Sequence, residues 1–577
     1  MNQIPSFNDL RKILDEEKPP NSSKLKIAIL ADFSSQLLKV AIEGMGKVNG
    51  LRLQVFESEF DQIDLQLLDK KSEIHKFVPD WIFLFQSNIR LKEKYYKFDK
   101  KEEFSKHISE VISNYNDIVT KEIKANCIIT NYYNEKDETF GSFSAKVVRS
   151  YGFQLSKINL SIHDLILKSK ETYLLDIAGL ISREGIKNAI DWRMNLNASM
   201  PYSINFLPII ANDVVSLLSN KLGSIKKCAV VDLDGTIWGG IIGDDGIQNI
   251  EIGDLGIGKA YKEFQFWLKS LKERGIILAV CSKNEERIAK EPFKTHPEMV
   301  LQLDDISVFV ANWNNKAENI KYIQEVLNIG FDSMVFLDDN PMERDLINKI
   351  IPEVAVPNLP EDPVERLSHL QEIDLFSTTS YTESDADRTS YYQSEAARID
   401  QKMSYSSIEE YLENLNMEAQ IERFDKFYLP RIAQLTQRTN QFNLRTKRYS
   451  EQDIQHIMDR DDYQTIYVKL RDKFGDHGLI SIVILTEIDD HLFIENWAMS
   501  CRVFNRGVEA LTINKIFIIA EELGFKKVIG EYLPTEKNEL VRDLFSNFKF
   551  KNIGNNKFEK LVDEHEIIEH SINEKSL

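Results

Sequence analysis

Two groups of aspartates stand where an apolar run stops. Asp232-Leu233-Asp234-Gly235-Thr236 closes the run at residues 227–231, and Asp338-Asp339 closes Met334-Val335-Phe336-Leu337. A strand buried on both faces is uniformly apolar. Like charges crowded at its tip raise one another's energy unless something binds there. The C-terminal edge of a parallel sheet is where open α/β folds place ligands. A divalent cation would relieve both pairs, and carboxylate oxygens with waters around a small octahedral ion suit Mg²⁺. Ser282 ends the run at residues 275–282, so its hydroxyl and the neighbouring backbone N–H groups could hold phosphate oxygens. Lys316 opens a helical stretch and could neutralise nucleophile and phosphate together. Asp232 would then attack phosphorus, while Asp234, two residues on, would protonate the leaving oxygen and later activate water. Mg²⁺ would screen the phosphate dianion from the attacking carboxylate. A lone Asp-x-Asp is ordinarily a helix cap or a turn. Here Asp-x-Asp-Gly-Thr, Ser, Lys and Asp-Asp follow in that order, three of them after strand-like runs, which favours the chemical reading.

The elements that must position these residues form the second of three blocks. Its strands are expected at 227–235, 275–282, 307–312 and 333–340. Helices at 257–275 and 316–330 separate them, both read as stopping at Gly. Ahead of it, strand-like runs at 24–33, 81–87 and 126–132 alternate with helical stretches such as 100–124, which implies a parallel sheet covered by helices. The last block reads as strand–loop–strand (465–487), strand (491–500), long helix (507–524), strand (526–533) and a short helix running into a strand (537–550). The expected organisation is a polar arm 1–21 ending in Pro19-Pro20, an α/β domain 22–220, an α/β domain 221–374, a helical connector 375–419 and an α+β domain 420–577.

Composition bounds the function. The chain has 577 residues, 42% hydrophobic and 28% charged, which excludes a mostly disordered protein. Lys+Arg 72 against Asp+Glu 91 gives a net charge of −19, which argues against sequence-independent binding to nucleic acid or an anionic membrane. No run approaches the length of a membrane-spanning helix, and residues 1–20 lack the basic start and apolar core of a secretory signal. Cys127, Cys228, Cys281 and Cys501 are scattered and form no Cys-x-x-Cys pair, so a reducing compartment, the cytoplasm, is expected.

The four motifs resemble those of the haloacid dehalogenase (HAD) phosphatase superfamily. Residues 230–246, 280–286, 292–305, 311–317 and 335–347, and beyond them 431–450, 470–481, 499–509 and 529–544, are similar to the FkbH-like branch, HAD subfamily IIIC. The resemblance implies a multidomain α/β protein. A HAD-like Rossmannoid parallel sheet would be central, preceded by an α/β domain similar to SGNH hydrolases or flavodoxin and followed by a GNAT-like α+β acyltransferase domain. It implies Asp232 and Asp234 as nucleophile and acid/base, with Lys316 also catalytic. Thr236, Ser282, Lys283, Asn284 and Lys316 would bind phosphate, and Asp232, Asp234 and Asp338 would ligate Mg²⁺, with Asp339 an alternative ligand or support. The implied activity removes phosphate from a small phosphorylated, glyceryl-type acyl donor. The unit would pass to an acyl carrier protein's phosphopantetheine arm or another acceptor, in polyketide or surface-polysaccharide synthesis. A plain Mg²⁺-dependent phosphatase and a catalytically silent scaffold are the rival readings.

The chain departs from the pattern in three places. Some glyceryl-transferring relatives carry Cys between the motif aspartates, where this chain has Leu233. Cys281 adjoins Ser282 on a strand and so should face the core if Ser282 faces the site. Cys501, with Arg502 and Arg506 nearby, is the remaining candidate thiol. The expected pyrophosphate loop at 502–510 has one glycine, Gly507. Arg438, Arg445, Lys447 and Arg448 form a basic cluster that could meet an acidic carrier, or a solvated charged face. In the first domain Asp32 and Ser34 follow a strand, but the chain has no His between residues 164 and 295, so docking rather than hydrolysis is expected there.

Overall fold

The computed structural model describes residues 4–15, 24–379, 381, 408–473, 475–500, 503–535 and 537–575. It divides into two compact units, one up to Ser219 and one from Asn220 onward. Among the described residues no helix is long and apolar enough to cross a membrane.

The first unit is built on five parallel strands, β1 (Lys24–Ala31), β2 (Arg52–Glu57), β3 (Trp81–Phe85), β4 (Asn126–Thr130) and β5 (Thr172–Leu175). Their order is β2-β1-β3-β4-β5, a doubly wound arrangement that reverses direction between β1 and β3. The apolar runs at 24–33, 81–87 and 126–132 become β1, β3 and β4. β2 and β5 escape sequence reading because they are short edge strands with mostly half-exposed side chains. Within the stretch expected as a polar arm lies the helix Phe7–Asp15, whose Phe7 and Leu10 are buried in this unit's core against the helix Gln36–Val48.

The second unit carries two sheets. β6 (Cys228–Val231), β7 (Ile277–Ser282), β8 (Val308–Ala311) and β9 (Met334–Leu337) form a four-stranded parallel sheet in the order β8-β7-β6-β9. All four are almost wholly buried, as their unbroken apolar runs require. The helix Gly258–Glu273 stops just before Gly275 (φ +91°), as read from sequence. The helix Lys316–Leu327 stops instead at Asn328, which takes the left-handed conformation (φ 47°), two residues short of the expected Gly330. Beyond the helix Ile408–Asn414, eight strands follow: β10 (Met417–Glu422), β11 (Tyr463–Asp472), β12 (Gly475–Ile488), β13 (His491–Met499), β14 (Lys527–Glu531), β15 (Lys551–Gly554), β16 (Lys557–Leu561) and β17 (Ile572–Glu574). They form one sheet in the order β15-β16-β14-β13-β12-β11-β10-β17. β13 and β14 run parallel for four pairs, His491↔Lys527 to Ile494↔Gly530. Past that point residues 442–444 lie between the diverging strands: Met499 N donates to Phe442 O, Leu444 N to Trp497 O, and Leu533 N to Leu444 O.

The tip of β1 carries a buried acid. Asp32 Oδ1 accepts Ser87 N at 2.8 Å, and Ser34 N donates to Ser199 O. Burial pushes the Asp32 carboxyl up from its ordinary 3.8 to about 6, against the hydrogen bond from Ser87. Folding therefore takes up a proton here between those two values. This contribution to stability is full below pH 3.8 and is lost as pH rises through 6, about 3 kcal/mol in all. Urea unfolding of the full chain should show Asp32→Asn gaining on the wild type by about 2 kcal/mol between pH 4.5 and pH 7.5. A difference that does not vary with pH would rule out the buried neutral acid.

Candidate active site

The register of the four-stranded sheet brings the aspartates together. β6 and β9 are neighbours, with Val231 paired to Leu337, so Asp232 and Asp338 are the next residues on adjacent strands. Asp232 N donates to Leu337 O at 2.9 Å, which extends the pairing by one rung. Ser282 is the last residue of β7, on the other side of β6. Lys316 opens its helix behind an Asn315 cap that accepts Ala317 N, and its side chain, 3% exposed, reaches both tips. Its Nζ lies 2.9 Å from Asp232 Oδ2 and 2.6 Å from Asp338 Oδ2. Asp339 completes a cluster in which one oxygen from each of Asp232, Asp338 and Asp339 lies within 4.8 Å of the others.

Charge does not balance here. Burial raises the carboxyls of Asp232 and Asp338, Lys316 opposes the rise, and each aspartate feels a neighbouring one. Burial also penalises the Lys316 ammonium, but the two carboxylates outweigh that and its affinity for the proton rises. One ammonium facing two buried carboxylates leaves a negative excess that a cation would cancel. The second oxygen of Asp232, Oδ1, is buried and has no well-formed hydrogen bond among the described residues, although the Ser282 hydroxyl is close enough to steady the carboxylate. An unpaired buried carboxylate oxygen beside two further carboxylates fits a hard, oxygen-seeking divalent ion.

Asp234 is not brought into that cluster. Its Oδ1 accepts Trp238 Nε1 at 2.8 Å and Ile242 N at 3.0 Å, and its Oδ2 accepts Asn284 Nδ2 at 2.8 Å. Its side chain, expected as a metal ligand, is held instead by three donors. Asn284, 4% exposed, also donates to Ser282 Oγ and so ties the Asp234 carboxylate to the end of β7. Thr236 is committed to Asp339: its hydroxyl donates to Asp339 Oδ1 at 3.1 Å and accepts Asp339 N at 3.0 Å. Between them Gly235 sits at φ +68°, and a Cβ there would meet Asp339 Oδ2 at 2.4 Å, so the turn admits only glycine. Lys283 lies at the rim, 41% exposed, paired with Glu343 at 2.6 Å. Cys281 is fully buried in the core and Leu233 likewise, so neither offers a group to the site.

Three contributors were not foreseen. Trp238 is fully buried, and a buried indole N–H requires an acceptor, which could have pointed to Asp234 four residues away. Arg344 donates through Nη1 to the carbonyls of Asp338 (2.8 Å) and Asp339 (2.6 Å). Arg366 donates to Gly235 O. These buried guanidiniums hold main-chain oxygens, and nothing in the local sequence marks them.

The other sequence candidates belong to the C-terminal part of the chain. Cys501 and Arg502 lie outside the described residues. Arg506 is buried, 3.6 Å from Asp472, which also meets His477 Nε2 at 2.8 Å. Gly507 (φ +88°) begins the helix Val508–Glu522. The expected basic cluster is not a free face. Arg445 pairs with Glu495 (2.6 Å) and Glu531 (2.7 Å), Lys447 pairs with Glu495, and Arg448 bonds Gln437 O and Asn440 Oδ1.

Residues 26–219 match the FkbH N-terminal domain family. Among solved structures, the chain is similar to the N-terminal part of BF1531 from Bacteroides fragilis, which contains a phosphatase domain complexed with Mg. The two are 41% identical, with a TM-score of 0.62, over 65% of this chain and 100% of that one. A segment also aligns with the ribosomal-protein-S18-alanine N-acetyltransferase of Escherichia coli, at 13% identity and TM-score 0.20, over 25% of this chain and 94% of that one. The search of curated proteins returned no match. With the site geometry and an identity of 41% over the whole of a phosphatase-containing relative, the chain belongs to the FkbH-like family of HAD phosphatases.

Proposed function

We propose that the chain is a Mg²⁺-dependent phosphatase in which Asp232 is the nucleophile. The observation that carries this reading is the state of Asp232: one oxygen is held by Lys316, and the other is buried beside Ser282, Asp338 and Asp339 with no well-formed hydrogen bond among the described residues. In the first step an Asp232 oxygen bonds to phosphorus as the bond to the leaving oxygen breaks. Asp234, fixed by Trp238, Ile242 and Asn284, gives that oxygen its proton. In the second step Asp234 takes a proton from water, the water oxygen bonds to phosphorus, and phosphate leaves Asp232. Ser282, Asn284 and Lys316 hold the phosphate oxygens, with Thr236 supporting Asp339 and Lys283 at the rim. Asp232, Asp338 and Asp339 would hold Mg²⁺, whose charge offsets repulsion between carboxylate and phosphate dianion. The bound Mg of the Bacteroides fragilis relative supports this assignment. Buried, unpaired Cys127, Cys228 and Cys281 suit a reducing compartment such as the cytoplasm.

The substrate on this reading is a small phosphorylated acyl donor, and the dephosphorylated unit passes to an acyl carrier protein or a similar acceptor. Support comes from the last sheet, where a parallel pair of strands diverges beside a helix that starts at Gly507. In that reading Cys501 is the candidate acceptor thiol, since Leu233 and Cys281 are sealed in the core. A phosphatase without transfer is the second reading. It is favoured by residues 442–444, which fill the gap between the diverging strands.

Asp232→Asn should lower Mg²⁺-dependent phosphate release by about 10³-fold or more while leaving the thermal unfolding midpoint within a few degrees. Residual release at the wild-type rate would remove Asp232 as the nucleophile. Trp238→Phe deletes one donor to Asp234 and should cut kcat by about 10- to 100-fold with the Mg²⁺ dependence unchanged. A loss of metal affinity instead would assign Asp234 to the ion. For transfer, incubation with a phosphorylated three-carbon donor should add an acyl mass to a carrier protein. Phosphate release with no mass gain across several carriers would select the plain phosphatase.

A further inference from the structure

The strand tips that carry the phosphatase centre also hold large apolar side chains in water. Asn312 N donates to Ser282 O at 3.2 Å, which extends the β7–β8 pairing one residue past Ala311. Trp313 is the next residue, and Lys316, which reaches Asp232, comes three later. The backbone on both sides of the indole is fixed. Asn312 Oδ1 accepts Asn314 N and Asn319 Nδ2, both at 2.9 Å, and Asn315 Oδ1 accepts Ala317 N at 2.8 Å. Yet Trp313 is 76% exposed, the most open of the six tryptophans. Among the described residues nothing stacks on its ring or bonds its Nε1. Met342, three residues after Asp339, is also exposed, as is Ile241, whose neighbour Ile242 donates to Asp234.

One exposed apolar side chain means little by itself. Here three of them follow β6, β8 and β9, on the same sheet edge as the aspartates. Adjacent strands stand about 4.8 Å apart, so the four tips lie within about 15 Å. A phosphate held at β6 and β7 therefore has the rest of its molecule within reach of this apolar rim. The charged floor takes phosphate, a group common to every phosphorylated compound, so selectivity comes from what the remainder of the molecule meets. A rigidly held indole offers a large apolar face at small cost in side-chain freedom. We propose that Trp313 is a specificity-determining residue of the phosphatase site and receives the organic part of the substrate. It favours a donor whose organic part is long or flat enough to cover an indole face over a two-carbon donor such as acetyl phosphate. The inference rests on the phosphatase reading and adds to it the class of group that the phosphate carries.

Mg²⁺-dependent phosphate release from benzoyl phosphate and acetyl phosphate tests it, because the two share acyl phosphate chemistry and differ in apolar surface. In the full chain Trp313→Ala should raise KM for benzoyl phosphate by about tenfold with kcat within about threefold, the mark of lost uniform binding. Tenfold corresponds to uncovering about a quarter to a third of an indole. KM for acetyl phosphate should rise by less than about threefold. Trp313→Phe should keep most of the selectivity, and Trp192→Ala, which removes another exposed indole, should change neither constant. Equal KM shifts for both donors, no shift, or a fall in kcat with KM kept overturns the proposal. In Asp232→Asn, which halts turnover, benzoyl phosphate should shield tryptophan emission from acrylamide more than acetyl phosphate does. Adding Trp313→Phe should abolish that difference, and a difference that survives also overturns the proposal. Wild-type phosphate release that persists in Asp232→Asn strikes the phosphatase reading instead and leaves the KM comparison to judge Trp313. No release from either donor overturns both. Each variant's unfolding midpoint is measured without ligand, and if Trp313→Ala does not fold, Trp313→Gln carries the same test.

Discussion

One buried ammonium shared by two carboxylates organises the centre of this protein. Lys316 touches Asp232 and Asp338 at once, and that contact exists only because β6 and β9 are paired in a register that puts the two aspartates on neighbouring tips. Removing such a partner would leave buried charge uncompensated, a far greater penalty than a surface ion pair carries. The rest of the site is arranged to hold these tips still. Asn315 fixes the start of the lysine's helix, Arg344 and Arg366 gather loop carbonyls, and Thr236 exchanges two hydrogen bonds with Asp339. Even so, the lysine answers only part of the negative charge, and a divalent ion would cancel the remainder.

Much of this was legible in the sequence because it breaks a rule. Aspartates at the ends of apolar strands stand out against the run that precedes them, and Lys316 and Ser282 stand at the starts or ends of periodic segments. Side-chain direction was less legible. Asp234 turns to Trp238 and Asn284 rather than to the other carboxylates, and Lys283 turns outward to Glu343. The basic run around Arg445 and Arg448 reads as a patch for an acidic carrier or as a solvated face, yet tertiary neighbours Glu495, Glu531 and Gln437 engage it. The two glutamates lie 50 residues or more from Arg445, and local spacing carries no trace of them.

The fold followed a similar division. Buried central strands were visible as unbroken apolar runs, whereas β2, β5 and β10 were not, being edge strands or strands of alternating exposure. The helix Phe7–Asp15 was hidden in a stretch of mostly polar residues, where two buried side chains, Phe7 and Leu10, suffice to seat it. The close of the helix at Asn328 rather than Gly330 shows an asparagine doing what glycine usually does.

Residues 442–444 have a wider consequence. They act as a splint: where β13 and β14 part, this short segment supplies further rungs to both sides. Asn440 and Gln441, directly before the splint, also line a cavity beside the helix Leu429–Arg438. Pulling the segment out would bare unpaired N–H and C=O groups in the middle of a sheet, which is the kind of surface through which chains stick to one another. The splint therefore keeps those backbone groups from being offered to another strand.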